Sequence, residues 1–558
     1  MDVTKNNPLS SSDSKRIDEL AGVVLDDYIN FIQNLTYEND LTDKSLLVSV
    51  TCRNTLISKI FDSFCRISLI EQSIKNKEIK DSLKVDDEYS AKVIKNLLKK
   101  YDYKKVKIIY KYKTNIILFI LFNLFKSLYI AANSWIWSRI FLKRSKPNGY
   151  ITYIDTFLFK DSFDSNGDFH DRYYTDHKKH FSKTEKENFF FVPTLFSIKH
   201  PWSFINIFNK IKASKDNFLI KESWLTISDY AFALFYSVII PLKIKKIPLY
   251  RGLNVSPIIK RELHENIGST ALFRALCEYR FIRRIANKRI KVKGVINWFE
   301  NQVNDRALNL SFKKHFPNIT VKGYQGFMPI KYYASLQPQE YEKQLGTIPD
   351  HIYVLNKVTS DLYKKSCPSL SIKIAPAFRF AHLFKMDAKN ITSSKMILVA
   401  LPGSGMENES IGILKSIIQA LDFQDNNINF EIKIHPTCSK KDILDSVPEL
   451  IHKNIKFSEE SIPQLLVRSD LVISSASSVC VEAASLGIPV AVYGNRFGVT
   501  MNPLEKTSMD NISTIFYDDS DLQSFIKIAT EESGKTSEVN HWFSEVNRDN
   551  TRELFLGF

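Results

Sequence analysis

Cysteine is scarce and scattered: the 558 residues hold six, Cys52, Cys65, Cys277, Cys367, Cys438 and Cys480, with no CxxC and no Cys/His cluster. That distribution excludes a disulfide framework and a structural zinc site, and implies a reducing, cytoplasmic setting. The chain also lacks an apolar opening. MDVTKNNPLSSSDSKRIDEL is polar, so no secretory signal is expected. No repeat of fixed period and no low-complexity tract is visible, and an apolar share of 44% excludes disorder as the main theme. No DxD pair stands at a strand end and no His/Asp group has metal-ligand spacing, so the expected chemistry uses no metal and no bound cofactor.

Positive charge is in excess. The net charge is +16, and between Lys92 and Lys146 there are fourteen Lys or Arg against one acid, Asp102. The same window holds the most apolar run, NIILFILFNLFKSLYIAANSWIW, followed by SRIFLKRSK. Nucleic-acid binders set cations beside stacking aromatics on a folded face, whereas here the aromatics sit among Leu and Ile. The expected partner is therefore the inner-membrane surface, not nucleic acid. Residues 116–137 are long enough to cross roughly 30 Å of hydrocarbon, but Asn123, Lys126, Asn133 and Ser134 interrupt them. A helix lying on or dipping into the leaflet fits better than a span. A buried helix with Lys126 reaching water is the other reading.

A chain of this length exceeds one ordinary core. Residues 1–113 read as helices, 114–146 as the membrane-associating segment, and 147–385 as alternating strands and helices (YITYIDTFLF, NFFFVPTLF, KGVINWFE, ITVKGYQGF, HIYVLN, SIKIAPAF). A second alternating series fills 386–535 (KMILVALPG, INFEIKIHP, NIKFSE, DLVISS, PVAVYG), and 536–558 closes with a helix that crosses back. The expected class is α/β, with two parallel-sheet domains facing a cleft and a mainly helical N-terminal extension.

Ligands of open parallel sheets gather beyond the carboxyl ends of the strands. Three loops of the second series qualify. LPGSGMENES offers Ser404 between glycines; EIKIHP sets His435 at a strand tip with Pro436 stopping the strand; and SDLVISSASSVCVEAASLG carries Ser474, Ser475, Ser477 and Ser478 into a helix capped by one of the last two. One serine suffices for a cap, and the surplus hydroxyls at a helix N-terminus suit a phosphate. Glu482, four residues after Ser478, is placed to accept from ribose hydroxyls, or is simply solvated.

In the first series the requirement is a carboxylate at a strand tip to take the acceptor's proton. Glu300 follows GVINWF, where a helix-start role is the competing reading. Asp161, Asp164 and Asp168 in DSFDSNGDFHD form the runner-up; the loop lacks the spacing and final Glu of a calcium loop. Gln325 and Gly326 of GYQGF are candidates for acceptor contact, or a turn. Arg379, between the domains, would pair a phosphate or sugar carboxylate, or an interdomain acid.

IKIHP followed by DLVISSASSVCVEAASLGIPVAVYG resembles the nucleotide-binding half of GT-B glycosyltransferases that build bacterial surface polysaccharides, most clearly over residues 293–493. The His-Pro and serine motifs are similar to those of transferases using CMP-activated sialic, pseudaminic or legionaminic acid, or Kdo. The resemblance implies that His435, Pro436 and the four serines hold the CMP phosphate and cytidine, that Glu482 meets the ribose, and that the acceptor is a lipid-linked capsule or O-antigen glycan. A UDP-sugar or CDP-polyol donor in the same fold, and a non-catalytic scaffold of a polysaccharide assembly complex, are the alternatives.

Overall fold

The computed structural model describes residues 1–103, 106–112, 115–142, 146–164, 166–196, 198, 200–386, 395–421, 428–450, 455–504, 513–531 and 538–558. Of the basic flank read from the sequence, Lys104, Lys105, Lys113, Lys143 and Arg144 lie outside these residues.

The N-terminal region has one strand pair, β1 (Ser82–Asp87) and β2 (Lys107–Tyr112), parallel and joined through the helix Glu88–Lys100. The first large sheet contains β3 (Tyr150–Leu158), β4 (Phe189–Leu195), β5 (Asn217–Phe218), β6 (Lys291–Trp298), β7 (Val321–Tyr324), β8 (His351–Val354) and β9 (Ser371–Ile374), in spatial order β5-β4-β3-β6-β7-β8-β9. The second contains β10 (Lys395–Ala400), β11 (Ile428–Lys433), β12 (Ile455–Phe457), β13 (Leu471–Ser474), β14 (Val490–Tyr493) and β15 (Ser513–Phe516), in order β12-β11-β10-β13-β14-β15.

Every pairing in both large sheets is parallel. Strands covered on both faces need apolar residues at consecutive positions, which explains the unbroken runs LVIS and VAVY, buried throughout. In each sheet the chain begins centrally, builds to one edge and returns to the other side, so the order reverses between β3 and β6 and between β10 and β13. Crevices at such reversals are where open α/β sheets hold ligands. Two domains of this strand order form a GT-B type architecture, the α/β class expected from the sequence.

The closing helix Arg548–Leu556 lies on the first domain. Phe555 sits among the rings of Tyr174, His177, Phe181 and Phe189, and Lys322 Nζ donates to the Glu553 carbonyl at 2.6 Å.

The helix Ser11–Glu38 buries Ile17, Ala21, Val24, Tyr28, Ile32 and Leu35, a stripe at helical spacing, partly against the helix Ile60–Lys75. This N-terminal region is joined to both domains. On the first, the guanidiniums of Arg53 and Arg306 converge on the Glu342 carboxylate, with Arg53 at 2.6 Å and the acid fully buried. Asn301 also donates to Glu342, at 3.0 Å, so the buried charges are matched by hydrogen bonds. On the second domain, Asp18 accepts from the Thr500 N–H and the Tyr517 hydroxyl, both at 2.8 Å.

The apolar run forms the helix Ile116–Phe141. Only 11% of its most apolar window is buried. The reading as a core helix is therefore not what the structure has: its buried residues are Asn123, Ser127, Ala131, Ser134 and Ser138, and most of its large apolar side chains, Ile117, Leu118, Leu121, Phe122, Phe125 and Ile140 among them, are exposed.

Candidate functional site

In the second domain β10 and β13 run side by side, so the loops that follow them are neighbours. Ser474 Oγ donates to the Ala400 carbonyl at 2.6 Å, pinning the two strand ends together. Ser475 donates to the carboxylate of Glu409, in the first turn of the helix Glu407–Leu421, and Asn495 Nδ2 donates to the same carboxylate at 3.2 Å. Burial raises the Glu409 carboxyl to about 7, opposed by the Ser475 hydrogen bond. Ser477 caps the helix Ser478–Ser485, which Gly487 ends at a φ of 74°.

Two of the four serines expected to hold phosphate are thus committed elsewhere. Ser474 and Ser475 are buried, at 0% and 2% exposure, with their hydroxyls on protein acceptors. Ser477 and Ser478 are half-buried and remain at the surface of the turn. Glu482 also departs from the expectation. It is 8% exposed, accepts from Ser478 at 3.3 Å and pairs with His382 Nε2 at 3.2 Å, so it fastens the helix to the interdomain passage instead of facing an open ribose site.

His435 lies two residues beyond β11 and is exposed, as are Pro436 and Ser404. Its protonation can be worked out from its neighbours. The Thr437 backbone N–H donates to Nδ1 at 3.2 Å, so Nδ1 is an acceptor. The Thr437 hydroxyl, which also accepts from the Ser404 N–H at 3.0 Å, stands 2.7 Å from Nδ1, and with Nδ1 an acceptor its proton goes to the ring. The neutral ring therefore carries its proton on Nε2. Desolvation holds its pKa below the ordinary value, leaving a neutral Nε2–H donor at pH 7.

In the first domain Glu300 follows β6 and precedes the helix Val303–His315. Trp298 Nε1 and Gln302 Nε2 donate to its two oxygens, at 2.8 and 2.5 Å. Its own N–H and that of Gln302 donate to Asp305, each at 3.0 Å. Burial pushes Asp305 up to about 7, and the nearby Glu300 charge adds to the shift against the two hydrogen bonds. Tyr173 packs on Trp298 with ring centroids 4.0 Å apart; burial and the Glu300 charge raise its pKa while Arg379 lowers it. Glu300, Tyr173 and Arg379 therefore share one electrostatic neighbourhood. Arg379 is exposed, with no ion-pair partner among the described residues.

The structure gives GYQGF a supporting role. Gln325 is 1% exposed, donates to the Leu336 carbonyl at 3.1 Å and accepts from Tyr363 at 2.8 Å, so it has no face toward an acceptor. A Cβ on Gly326 would stand 2.6 Å from Trp298 Cζ3. Glycine there lets this loop close onto the ring that positions Glu300.

The acidic loop folds on itself. Asp164 accepts from the Asn166 and Asp168 N–H groups at 2.8 and 2.9 Å and meets His170 at 3.0 Å; Asp161 pairs with Arg172, and Asp168 with Lys215 at 3.7 Å. Phe163 and Phe169 anchor it against Phe218 of β5, at the sheet edge away from Glu300.

Among the described residues no group of three or more His, Cys, Asp or Glu is arranged to hold a metal ion. Sequence reading passed over Glu409, Thr437, Asp305 and Tyr173. Thr437 adjoins the His-Pro pair and Glu409 lies in the quoted glycine loop, but their partners are distant in the chain.

No family model and no curated protein matches the chain. It is similar to solved structures at low identity. A UDP-GlcNAc 2-epimerase from Neisseria meningitidis bound to UDP-GlcNAc is 13% identical over 72% of this chain and 97% of that one, with a TM-score of 0.40. The lipopolysaccharide outer core galactosyltransferase WaaB is 11% identical over 73% and 99%, TM-score 0.41. An alpha,alpha-trehalose-phosphate synthase (UDP-forming) from Burkholderia vietnamiensis is 6% identical over 73% and 96%, TM-score 0.37.

Proposed function

We propose that the chain is a GT-B glycosyltransferase that moves an acidic sugar from its CMP ester to a lipid-linked surface glycan, without a metal. The observation that carries this reading is a set of polar groups at strand ends of the two domains, beyond β11 in the second and beyond β6 in the first. The second domain offers a neutral His435 Nε2–H, and the first a Glu300 carboxylate held by Trp298 and Gln302, with Arg379 exposed and without an ion-pair partner among the described residues.

In the proposed reaction Glu300 takes the proton of the acceptor hydroxyl while that oxygen bonds to the anomeric carbon. The bond from that carbon to the phosphate oxygen breaks, and CMP leaves with the electron pair. The Nε2–H of His435, with the hydroxyls of Ser404 and Ser477, stabilises the charge that collects on the phosphate. Arg379 pairs with the sugar carboxylate, a role that a neutral sugar would leave empty. Glu409, held in place by Ser475 and Asn495, shapes the turn between these donors.

The test is the melting temperature of the full chain with CMP, CDP, UDP or GDP, in EDTA. A ligand of the folded state at a hundredfold excess over its Kd adds about 2.7 kcal/mol. Selective stabilisation by CMP supports the proposal. Selectivity for UDP or CDP replaces the donor by a UDP-sugar or a CDP-polyol, and silence toward all four favours the scaffold.

A further inference from the structure

We infer that the helices Ile116–Phe141 and Ile227–Leu242 together form a face that lies flat on an anionic membrane, the first helix in the plane of the interface and not across it. The lipid-linked acceptor proposed above gives such a face its purpose; the face itself is read from packing.

The first helix has inverted polarity. Its inward stripe is small and polar, Asn123, Ser127, Ala131, Ser134 and Ser138. Asn123 donates to the Glu265 carbonyl at 3.0 Å, Ser127 to the Gly268 carbonyl at 3.0 Å and, near the far end, Arg139 to the Leu225 carbonyl at 2.8 Å. The outward side shows Leu118, Phe122 and Phe125 at 62, 61 and 69% exposure. A helix of 26 residues extends about 39 Å at 1.5 Å per residue. Fastened to the domain near both ends, it cannot enter a bilayer end-on, and its outer side calls for an apolar phase along its length.

The second helix also leaves apolar side chains uncovered. It turns Asp229, Tyr230, Ala233, Ser237, Ile240 and Pro241 inward and leaves Ile227, Phe235 and Leu242 exposed. Asp229 is held by Arg280 and Arg284 at 2.7 and 2.8 Å. One turn staples the two helices: Gly268 accepts from Ser127 and donates its N–H to the Ser237 carbonyl at 3.0 Å. A Cβ on Gly268 would stand 2.7 Å from Leu124 Cδ2, and its φ is 68°, so only glycine allows this approach.

Charge selects the occupant. Lys243, Lys245 and Lys246 follow the second helix directly and are exposed, as is Lys126 on the flank of the first; none has an ion-pair partner among the described residues. The helix Ile116–Phe141 contains no acid. Two copies docked through this face would bring like charges together, whereas anionic lipid headgroups complement them. A cavity of about 60 Å³ is lined by Ile130 and Ser134 of the first helix, Tyr230 of the second, and Asn304 of the helix that follows Glu300.

The test is flotation of the full chain with phosphatidylcholine vesicles, with and without phosphatidylglycerol. The chain is expected to float with the anionic vesicles and to be released by alkaline carbonate. Phe122→Glu/Phe125→Glu and, separately, Phe235→Glu should each lower the bound fraction about tenfold with the melting temperature kept. Lys243→Glu/Lys245→Glu/Lys246→Glu should remove the preference for phosphatidylglycerol. Carbonate resistance, or indifference to Phe235→Glu, would replace this face by a single spanning helix. Dimerisation without flotation would assign it to a second copy. Flotation without any nucleotide response would overturn only the proposed reaction, and a nucleotide response without flotation only this face.

Discussion

His435 allows a prediction that depends on which ring nitrogen carries the proton. With Nδ1 accepting from Thr437, the group offered to a ligand is Nε2–H. Glutamine places its amide nitrogen near the position of Nε2, and asparagine places its own near Nδ1. A hydrogen bond to a charged phosphate contributes about 1.5–3 kcal/mol, roughly a tenfold to hundredfold change in Kd. His435→Asn is therefore expected to weaken CMP binding by about that factor, while His435→Gln keeps most of the affinity. Desolvation lowers the His435 pKa, so the free ring meets the ligand as a neutral donor at pH 7 and above. Titration calorimetry of the wild type and both variants reads these changes. Wild-type affinity in His435→Asn together with loss in His435→Gln would refute the tautomer argument.

Two further outcomes are expected. Glu300→Gln should lower turnover at least roughly a hundredfold while CMP affinity stays within about twofold; retained turnover would move the base to the loop of Asp161, Asp164 and Asp168. Asp305 has a folded-state pKa of about 7 against an ordinary 3.8, so the folded chain binds its proton more tightly than the unfolded one. Stability should therefore fall as pH rises between about 4 and 7, by up to about 4 kcal/mol. Asp305→Asn should flatten that decline, widening its melting-temperature advantage from pH 5 to pH 8. Parallel profiles for variant and wild type would contradict it.

The strands of both sheets were legible where burial on both faces demands unbroken apolar runs. β5 and β15 were not: the first is two residues long, and STIF is too short to stand out from its surroundings. The pair β1 and β2 escaped because SLKVDD and KIIYKY set lysines, and in the first also acids, among their apolar residues. The site was legible as a set of strand ends, since Pro436, Gly487 and the serine cap punctuate the chain locally. Their partners were not. Ser475 meets Glu409 across 66 residues, and His382 meets Glu482 across 100, so hydroxyls and a carboxylate that read as ligand groups are tied to the protein instead. Thr437 was equally hidden, because its effect on His435 is a matter of proton placement.

The N-terminal helix also constrains how the two halves can move. The domains are connected directly through the passage where Phe380 stacks on Phe543, and a second time through Asp18, on a region locked to the first domain by Glu342. Two separate attachments leave a rigid pair one easy rotation, about the line joining them. A twist or slide would have to break the Asp18 contacts or expose the buried Arg53–Glu342–Arg306 charges. The two halves should therefore move as a door swings on two hinges, with a single degree of freedom.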